Sequence, residues 1–141
     1  MINREYYLNK LRRLSSLDAI KVVTGVRRCG KSTILKQYLN ELVQNGVLNN
    51  QIQYYNFEDP KLSELLLNWK SLYYHIISKK VPNKKNYIFI DEVQNLNNFQ
   101  KLVDGLFVNE NIDLYITGSN AYILSGELAT LLSGRYVEIK M

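Results

Sequence analysis

The 141 residues, 46% of them hydrophobic and 22% charged, suffice for one globular domain whose core needs neither a metal ion nor a disulfide bond. The single cysteine excludes an internal disulfide, and because no apolar stretch has the length of a signal peptide or a membrane span, we expect a cytoplasmic protein without membrane contact. The net charge of +5 suits a polyanionic partner, such as a nucleotide or a nucleic acid, although charge alone does not identify one.

Segments with strand and helix patterns alternate along the chain. An amphipathic helical pattern comes first, with Tyr7, Leu11 and Leu14 on one side. Short runs rich in β-branched and aromatic residues, which favour buried strands, follow at residues 20–24, 52–57, 87–90, 114–117 and, more weakly, 136–139. Longer runs with helical spacing of apolar residues lie at residues 34–43, 62–77, 99–107 and 121–132. This alternation predicts an α/β fold in which helices cover a mostly parallel sheet.

Residues 25–33 read G-V-R-R-C-G-K-S-T and come directly after the first predicted strand. They meet the pattern G-x-x-x-x-G-K-[ST], and the helical run that follows is the context in which this pattern binds phosphate. Gly25 and Gly30 let the backbone turn through conformations that a side chain would forbid, so that successive N–H groups point at phosphate oxygens. The pattern therefore predicts a nucleotide-phosphate site.

The other residues of this segment have expected roles in binding ATP and Mg²⁺. The side chain of Lys31 reaches the β and γ phosphates, the Ser32 hydroxyl is a ligand of Mg²⁺, and Thr33 contacts the α phosphate. Between the glycines the backbone binds the phosphates, at Val26, Arg27, Arg28 and Cys29. We expect the two arginine side chains to point outward.

Two acidic residues, Asp91 and Glu92, end the apolar run at residues 87–90. A phosphate loop that supports hydrolysis needs one carboxylate to hold Mg²⁺ through water and a second to polarise the attacking water. We assign the metal role to Asp91 and the role of catalytic base to Glu92. The structural alternative is that Asp91 caps the next helix, but the sequence after Glu92 does not look helical until residue 97 or 98.

Three segments together resemble the ATP-binding domain of AAA-like bacterial and archaeal ATPases that carry a G-x-R-R-x-G-K-[ST] loop: G-V-R-R-C-G-K-S-T, Y-I-F-I-D-E-V-Q and L-Y-I-T-G-S-N. The resemblance runs from about Arg4 to Val137. It implies a three-layer P-loop NTPase with a mostly parallel five-stranded sheet in the order 5-1-4-3-2. It also implies a single AAA-like domain over residues 1–141, with an N-terminal helix at 1–18 and the P-loop core at 19–141, that heads a longer chain.

The resemblance adds positions whose structural alternatives stay open. Ser119 or Asn120 would hydrogen-bond the γ phosphate or the attacking water, or else cap the helix that follows. Arg135 would act as an arginine finger, in its own chain or toward a neighbouring subunit, or else pair with an acid at the strand edge. After the second predicted strand, Asp59 favours a helix cap, and Glu58 is placed to approach the water shell of the metal.

These patterns predict Mg²⁺-dependent binding and hydrolysis of ATP, with hydrolysis driving or switching an attached C-terminal domain or a protein partner. Two other functions stay open: a binding module that switches on ATP occupancy without hydrolysis, and a small-molecule kinase, which shares the loop. The kinase is less favoured because kinases normally need a lid with extra arginines, and Asp91 with Glu92 favours water as the acceptor. A homo-oligomer would allow subunits to share a site, and no motif supports a nucleic-acid partner.

Overall fold

The computed structural model describes residues 4–26, 29–59, 62, 68–119 and 135–141. Its centre is a five-stranded sheet of β1 Ile20–Thr24, β2 Ile52–Asn56, β3 Asn86–Asp91, β4 Ile112–Gly118 and β5 Tyr136–Lys140. The strands lie in the order β2-β3-β4-β1-β5, and each neighbouring pair is parallel. This architecture confirms the predicted α/β class and the predicted order 5-1-4-3-2, counted from the other edge.

The central strands are buried on both faces, which is why they are near-continuous apolar runs in the sequence. β1 is buried at all five positions, and β4 is buried at residues 113–118. The edge strand β2 is buried only at every second position. β3 runs one residue further than predicted, so Asp91 belongs to the strand, and its carbonyl oxygen accepts a hydrogen bond from the N–H of Phe57 at 3.0 Å.

Helices cover both faces of the sheet. The described residues form α1 Arg4–Leu14, α2 Lys31–Gln44, α3 Trp69–Lys79 and α4 Phe99–Phe107. α1 and α2 pack on the face that carries Val23 and Phe89, whereas α3 and α4 pack on the face that carries Val22 and Ile90. None of these four helices is long and apolar enough to cross a membrane.

The helical pattern at residues 62–77 does not form one continuous helix. Asn68 has an extended backbone, with φ −140° and ψ 139°, and its side-chain oxygen accepts hydrogen bonds from the N–H groups of Lys70 and Ser71. These are the bonds of a helix N-cap, so α3 begins at Trp69. The apolar spacing continues across the cap, and the periodicity therefore did not reveal the break. The helix predicted at residues 121–132 lies outside the described residues.

A buried ion pair joins β1 to β4. Nζ of Lys21 donates to Oδ1 of Asp113 at 2.6 Å and to the carbonyl oxygen of Leu17 at 2.8 Å, and the two charged side chains are only 1% and 4% exposed. Tyr115 donates its hydroxyl to the other carboxylate oxygen at 2.6 Å, and Nζ of Lys85 lies 3.4 Å from that oxygen. Burial and the charge of Asp113 raise the pKa of Tyr115, so its hydroxyl remains a donor. Each charge is thus paired and hydrogen-bonded, which its burial requires.

Removing one partner of this pair should destabilise the protein much more than removing an exposed lysine beside it. In Asp113→Leu the ammonium of Lys21 stays buried without its carboxylate, so we expect the free energy of unfolding to fall by about 3–5 kcal/mol. The control is Lys85→Met, which removes a half-exposed lysine and should cost no more than about 1 kcal/mol. Urea denaturation measures both variants, and equal losses in the two would contradict the importance of the buried pair.

Candidate functional site

The carboxyl ends of β1, β3 and β4 meet at one edge of the sheet, and most predicted site residues follow them. The register places Thr24 of β1 beside Gly118 of β4, and Asn56 of β2 beside Asp91 of β3. The glycine-rich loop, residues 25–30, leaves β1 at this edge and leads into α2 at Lys31. The structure therefore brings the loop and the acidic pair together at the edge where parallel α/β sheets bind ligands.

The two glycines of the loop are needed for different reasons. Gly30 has a φ of 104°, in the left-handed region that favours glycine. Gly25 is not among the described glycines with positive φ; instead, a Cβ added there would lie 2.6 Å from Sγ of Cys29 and 3.3 Å from Cβ of Met141. Gly30 thus has a backbone conformation that favours glycine, whereas at Gly25 a side chain is excluded by lack of space.

Lys31 folds back into the glycine-rich loop. It is 3% exposed, and its Nζ donates to the carbonyl oxygens of Gly25 at 2.8 Å and of Val26 at 3.0 Å. The same Nζ lies 3.6 Å from Oε1 of Glu92. The side chain of Val26 points to solvent, so at this position only the backbone faces the site. The ammonium is thus already placed where an anion held by the loop would meet it.

Asp91 is completely buried, and three hydroxyl groups donate to its carboxylate. Ser32 of α2 and Tyr54 of β2 both donate to Oδ2, the tyrosine at 2.7 Å, and Thr117 of β4 donates to Oδ1. Burial and the neighbouring charge of Asp91 raise the pKa of Tyr54, so its phenol stays protonated and remains a donor. Asp91 therefore ties β3 to three other elements.

Sequence reasoning missed two of these three donors. Thr117 is the last residue of a predicted strand, at the edge where the acidic pair was expected, and that position was the available signal. Tyr54 lies inside a predicted strand, where an aromatic residue ordinarily indicates the core and nothing local marks its hydroxyl. Only the register of β2 on β3, with Tyr54 beside Phe89 and Asn56 beside Asp91, places that hydroxyl on the face of the sheet that carries Asp91.

Glu92 lies just beyond β3 in a left-handed conformation, with φ 55°. Its N–H donates to Oγ1 of Thr117 at 2.9 Å, and Nε2 of Gln94 donates to its Oε2 at 2.6 Å. One turn of 3-10 helix, Val93–Asn95, follows at once. The expectation of no helical structure before residue 97 is therefore wrong for this turn. Because the turn begins after Glu92, Asp91 does not cap it.

A pocket of about 210 Å³ lies between the glycine-rich loop and the acidic pair. Its lining residues come from the end of the loop, the start of α2 and the segments after β2 and β3: Gly30, Lys31, Ser32, Thr33, Glu58 and Glu92. The lysine and the N-terminal end of α2 both favour an anion. The carboxylates of Glu58 and Glu92 favour a cation or a proton donor, so the lining suits an anion that arrives with a metal ion.

Ser32, which lines this pocket, and Asp91, to which Ser32 donates, carry oxygen atoms of the kind that Mg²⁺ binds. The hydroxyl of Ser32 and the carboxylate of Asp91 lie within hydrogen-bond distance of each other, and Mg²⁺ prefers oxygen ligands while retaining several waters. Among the described residues, no group of three or more His, Cys, Asp or Glu could hold a metal ion by itself. A cation here would take further ligands from water and phosphate oxygens, as Mg²⁺ does at nucleotide sites.

Of four other predicted site residues, the structure describes Ser119. Ser119 follows β4 directly at the same edge of the sheet and is partly exposed. Asn120, Arg27 and Arg28 lie outside the described residues. The alternatives of phosphate contact and helix capping therefore both stay open for Ser119.

Arg135 lies at the opposite end of the sheet. Its carbonyl oxygen accepts a hydrogen bond from the N–H of Ile20, the first residue of β1, at 2.8 Å. Its guanidinium lies 3.4 Å from Asp104 and 5.9 Å from the ring centroid of Phe107. The length of β1, about 16 Å, separates this position from the glycine-rich loop. Arg135 therefore does not reach the site of its own chain. In the structure it pairs with an acid, Asp104, which was the structural alternative. A role toward a neighbouring subunit stays a prediction.

A family model and two relatives match most or all of this chain in sequence. A family model described as AAA domain matches residues 17–141. An uncharacterized protein of Haemophilus influenzae is 48% identical over 143 residues, covering 100% of this chain, and the uncharacterized protein MJ1544 of Methanocaldococcus jannaschii is 35% identical over 124 residues, covering 88%. The chain spans only 35% and 26% of the lengths of these two relatives.

The same fold occurs among solved structures. A chain in the structure of Drosophila ORC bound to AT-rich DNA and Cdc6 matches with a TM-score of 0.66. The match covers 97% of this chain and 53% of that chain at 12% identity. A likeness at this identity concerns the fold alone.

Substituting Gly25 tests whether the loop has room for a side chain. The Cβ of Gly25→Ala would lie 2.6 Å from Sγ of Cys29, so we expect the free energy of unfolding to fall by about 1–3 kcal/mol. The double variant Gly25→Ala/Cys29→Ala should recover about half of this loss, because the sulfur is gone while the contacts to Met141 at 3.3 Å remain. Urea denaturation of both, with Cys29→Ala as the control, measures the difference. A double variant as unstable as Gly25→Ala would show that Cys29 is not the obstacle.

Proposed function

This chain belongs to the AAA domain family and is a nucleotide-binding P-loop domain, and from this premise we propose that it binds ATP with Mg²⁺ and hydrolyses the bond to the γ phosphate. One observation carries the proposal: an ammonium, a hydroxyl and two carboxylates meet at one edge of the sheet, on Lys31, Ser32, Asp91 and Glu92. The ammonium suits phosphate, the hydroxyl and the buried carboxylate suit Mg²⁺, and the second carboxylate can accept a proton.

The phosphates would lie against the glycine-rich loop and the start of α2. Nζ of Lys31 donates to two loop carbonyl oxygens, which are weaker acceptors for an ammonium than a phosphate oxygen is. Phosphate would therefore replace these carbonyls as the partner of Lys31. Because the lysine side chain is already buried and ordered, little rotamer entropy is lost when ATP binds.

Hydrolysis would proceed by in-line attack of a water molecule whose proton passes to Glu92. Nε2 of Gln94 donates to Oε2 of Glu92, and the N–H of Glu92 donates to Thr117, so two hydrogen bonds hold Glu92 where it lines the pocket. Mg²⁺, when bound, would neutralise charge on the β and γ phosphate oxygens. Ser32 and Asp91 are the residues that would hold it, Ser32 as a direct ligand and Asp91 through water.

A nucleotide switch without hydrolysis is the second candidate, and the contacts of Glu92 favour it. Its Oε2 accepts from Gln94 at 2.6 Å, and its Oε1 lies 3.6 Å from Nζ of Lys31. A carboxylate engaged at both oxygens is a weaker base toward water. If this arrangement persists with ATP bound, occupancy alone would be the signal.

We also propose that nucleotide binding or hydrolysis drives or switches further protein attached to this domain. The relatives extend well beyond the matched region, since this chain spans 35% and 26% of their lengths. The guanidinium of Arg135 is half-exposed at the end of the sheet away from the pocket. It would complete a catalytic site only in a homo-oligomer that brings this end against the pocket of another subunit.

Replacing Lys31 tests the binding site. Lys31→Ala removes the one cationic side chain among the described residues that line the pocket, so we expect the affinity for Mg-ATP to fall by at least about tenfold. Lys79→Ala is the control, because this exposed lysine ends α3 and does not line the pocket. Isothermal titration calorimetry with Mg-ATP measures both. Parent-like affinity in Lys31→Ala would place the nucleotide elsewhere.

Replacing Glu92 separates binding from hydrolysis. Glu92→Gln keeps the shape of the side chain but cannot take a proton from water, so we expect affinity for Mg-ATP within about twofold of the parent and a loss of turnover of at least about 100-fold. The control is Glu110→Gln, at an exposed position after α4. Phosphate release from ATP, measured without an added acceptor and over a range of protein concentrations, is the readout.

The outcomes of this experiment distinguish the candidate functions. Hydrolysis by Glu92→Gln at the parent rate would contradict the role of Glu92 as the base. Tight binding of ATP with no turnover at any concentration of the parent would favour the switch. Phosphate release by the parent without an added acceptor would contradict a kinase, and a steep rise of activity with protein concentration would indicate a site shared between subunits.

A further inference from the structure

We propose that Tyr54 is a positioning residue for the metal side of the site: its hydroxyl fixes the carboxylate of Asp91 and, through it, the hydroxyl of Ser32. This inference rests on the proposed function, because it concerns the same Mg-ATP site. The inference adds to this site a residue of β2, whereas the glycine-rich loop follows β1 and the acidic pair lies at the end of β3.

The hydrogen bonds of Asp91 leave its carboxylate one orientation. Thr117 donates to Oδ1, and Tyr54 donates to Oδ2 at 2.7 Å, so rotation of the carboxylate would break both bonds. Ser32 donates its proton to the same Oδ2. With the proton directed toward Asp91, the Ser32 oxygen keeps lone pairs that can accept, and Ser32 is one of the residues that line the pocket. By fixing Asp91, Tyr54 thereby determines the orientation in which the Ser32 hydroxyl would meet a cation.

Tyr54 is itself held rigidly. Its ring stacks on Phe89 of β3, with centroids 6.3 Å apart and planes 30° from parallel, and Nζ of Lys36 lies 5.8 Å from its centroid. Its raised pKa keeps the phenol in the protonated form that can donate. A hydroxyl on a stacked ring is a more precise anchor than a flexible side chain, and partners of this kind commonly change metal affinity 10- to 100-fold when they are removed.

The neighbouring Tyr55 provides a matched control. It is buried on the other face of β2, and its hydroxyl donates to Oε1 of Gln53, away from Asp91. Tyr54→Phe and Tyr55→Phe each delete one hydroxyl and one hydrogen bond from adjacent positions of the same strand. The two variants therefore differ mainly in whether the lost bond leads to Asp91.

The experiment measures nucleotide binding rather than turnover. A fluorescent ATP analogue is titrated into the parent and both variants, first in EDTA and then at fixed analogue with increasing MgCl₂, well below the melting temperature of each protein. For Tyr54→Phe we expect the affinity for the analogue in EDTA to stay within about twofold of the parent value. The Mg²⁺ concentration that gives half of the maximal change in analogue fluorescence should rise by at least about tenfold. Tyr55→Phe should match the parent in both measurements.

Each other outcome has a definite meaning. A Mg²⁺ requirement of Tyr54→Phe equal to that of the parent would overturn this inference and leave the proposed function intact. Equal weakening of Tyr54→Phe with and without Mg²⁺ would also overturn it, because the hydroxyl would then support the fold only. A parent that binds no analogue under any condition would overturn the proposed function, and this inference with it. Should Tyr54→Phe not fold, Thr117→Val removes the other anchor of the carboxylate, and a parent-like Mg²⁺ requirement in that variant would be equally contrary.

Discussion

The buried carboxylate of Asp91 is the constraint on which the rest of the site depends. A charge with no exposure must be compensated by hydrogen bonds, because its desolvation is otherwise prohibitive. Three hydroxyls provide that compensation, and they come from the helix after the glycine-rich loop and from the strands on both sides of β3: Ser32, Tyr54 and Thr117. Satisfying one carboxylate therefore fixes the relative positions of α2, β2, β3 and β4.

The start of the glycine-rich loop is held by β5, the edge strand that pairs with β1. The N–H of Met141 donates to the carbonyl oxygen of Thr24 at 2.8 Å, and the hydroxyl of Thr24 donates to Oε2 of Glu138 at 2.6 Å. β5 thus anchors the point at which the loop leaves β1. With Gly25 packed against Cys29 and Met141, the loop has little freedom at its base. At the same edge of the sheet, Nζ of Lys31 lies 3.6 Å from Oε1 of Glu92.

The differences between expectation and structure have common physical causes. The run at residues 62–77 kept its helical spacing through Asn68, because an N-cap changes the backbone without changing the apolar pattern. Of the alternatives open for Arg135, a finger in its own chain does not fit, because the parallel direction of β5 puts this residue at the amino end of the sheet, beside Asp104. Gly25 was assigned a backbone role, whereas the packing of Cys29 and Met141 leaves no room for a side chain there. The break at Asn68 is a local feature that apolar spacing does not register, whereas the surroundings of Gly25 and Arg135 depend on packing in space, which local residue patterns do not contain.

The sequence by itself determined the residue types and their order: five apolar runs separated by helical spacing, a glycine-rich loop after the first, and an acidic pair after the third. Parallel strands bring their carboxyl ends to one edge, so these patterns already implied where the loop and the acidic pair would meet. The tertiary structure alone decided which side chains complete the site. Tyr54 and Thr117 reach Asp91 only because of the strand register and the pleat, and neither is encoded in the residues adjacent to them along the chain.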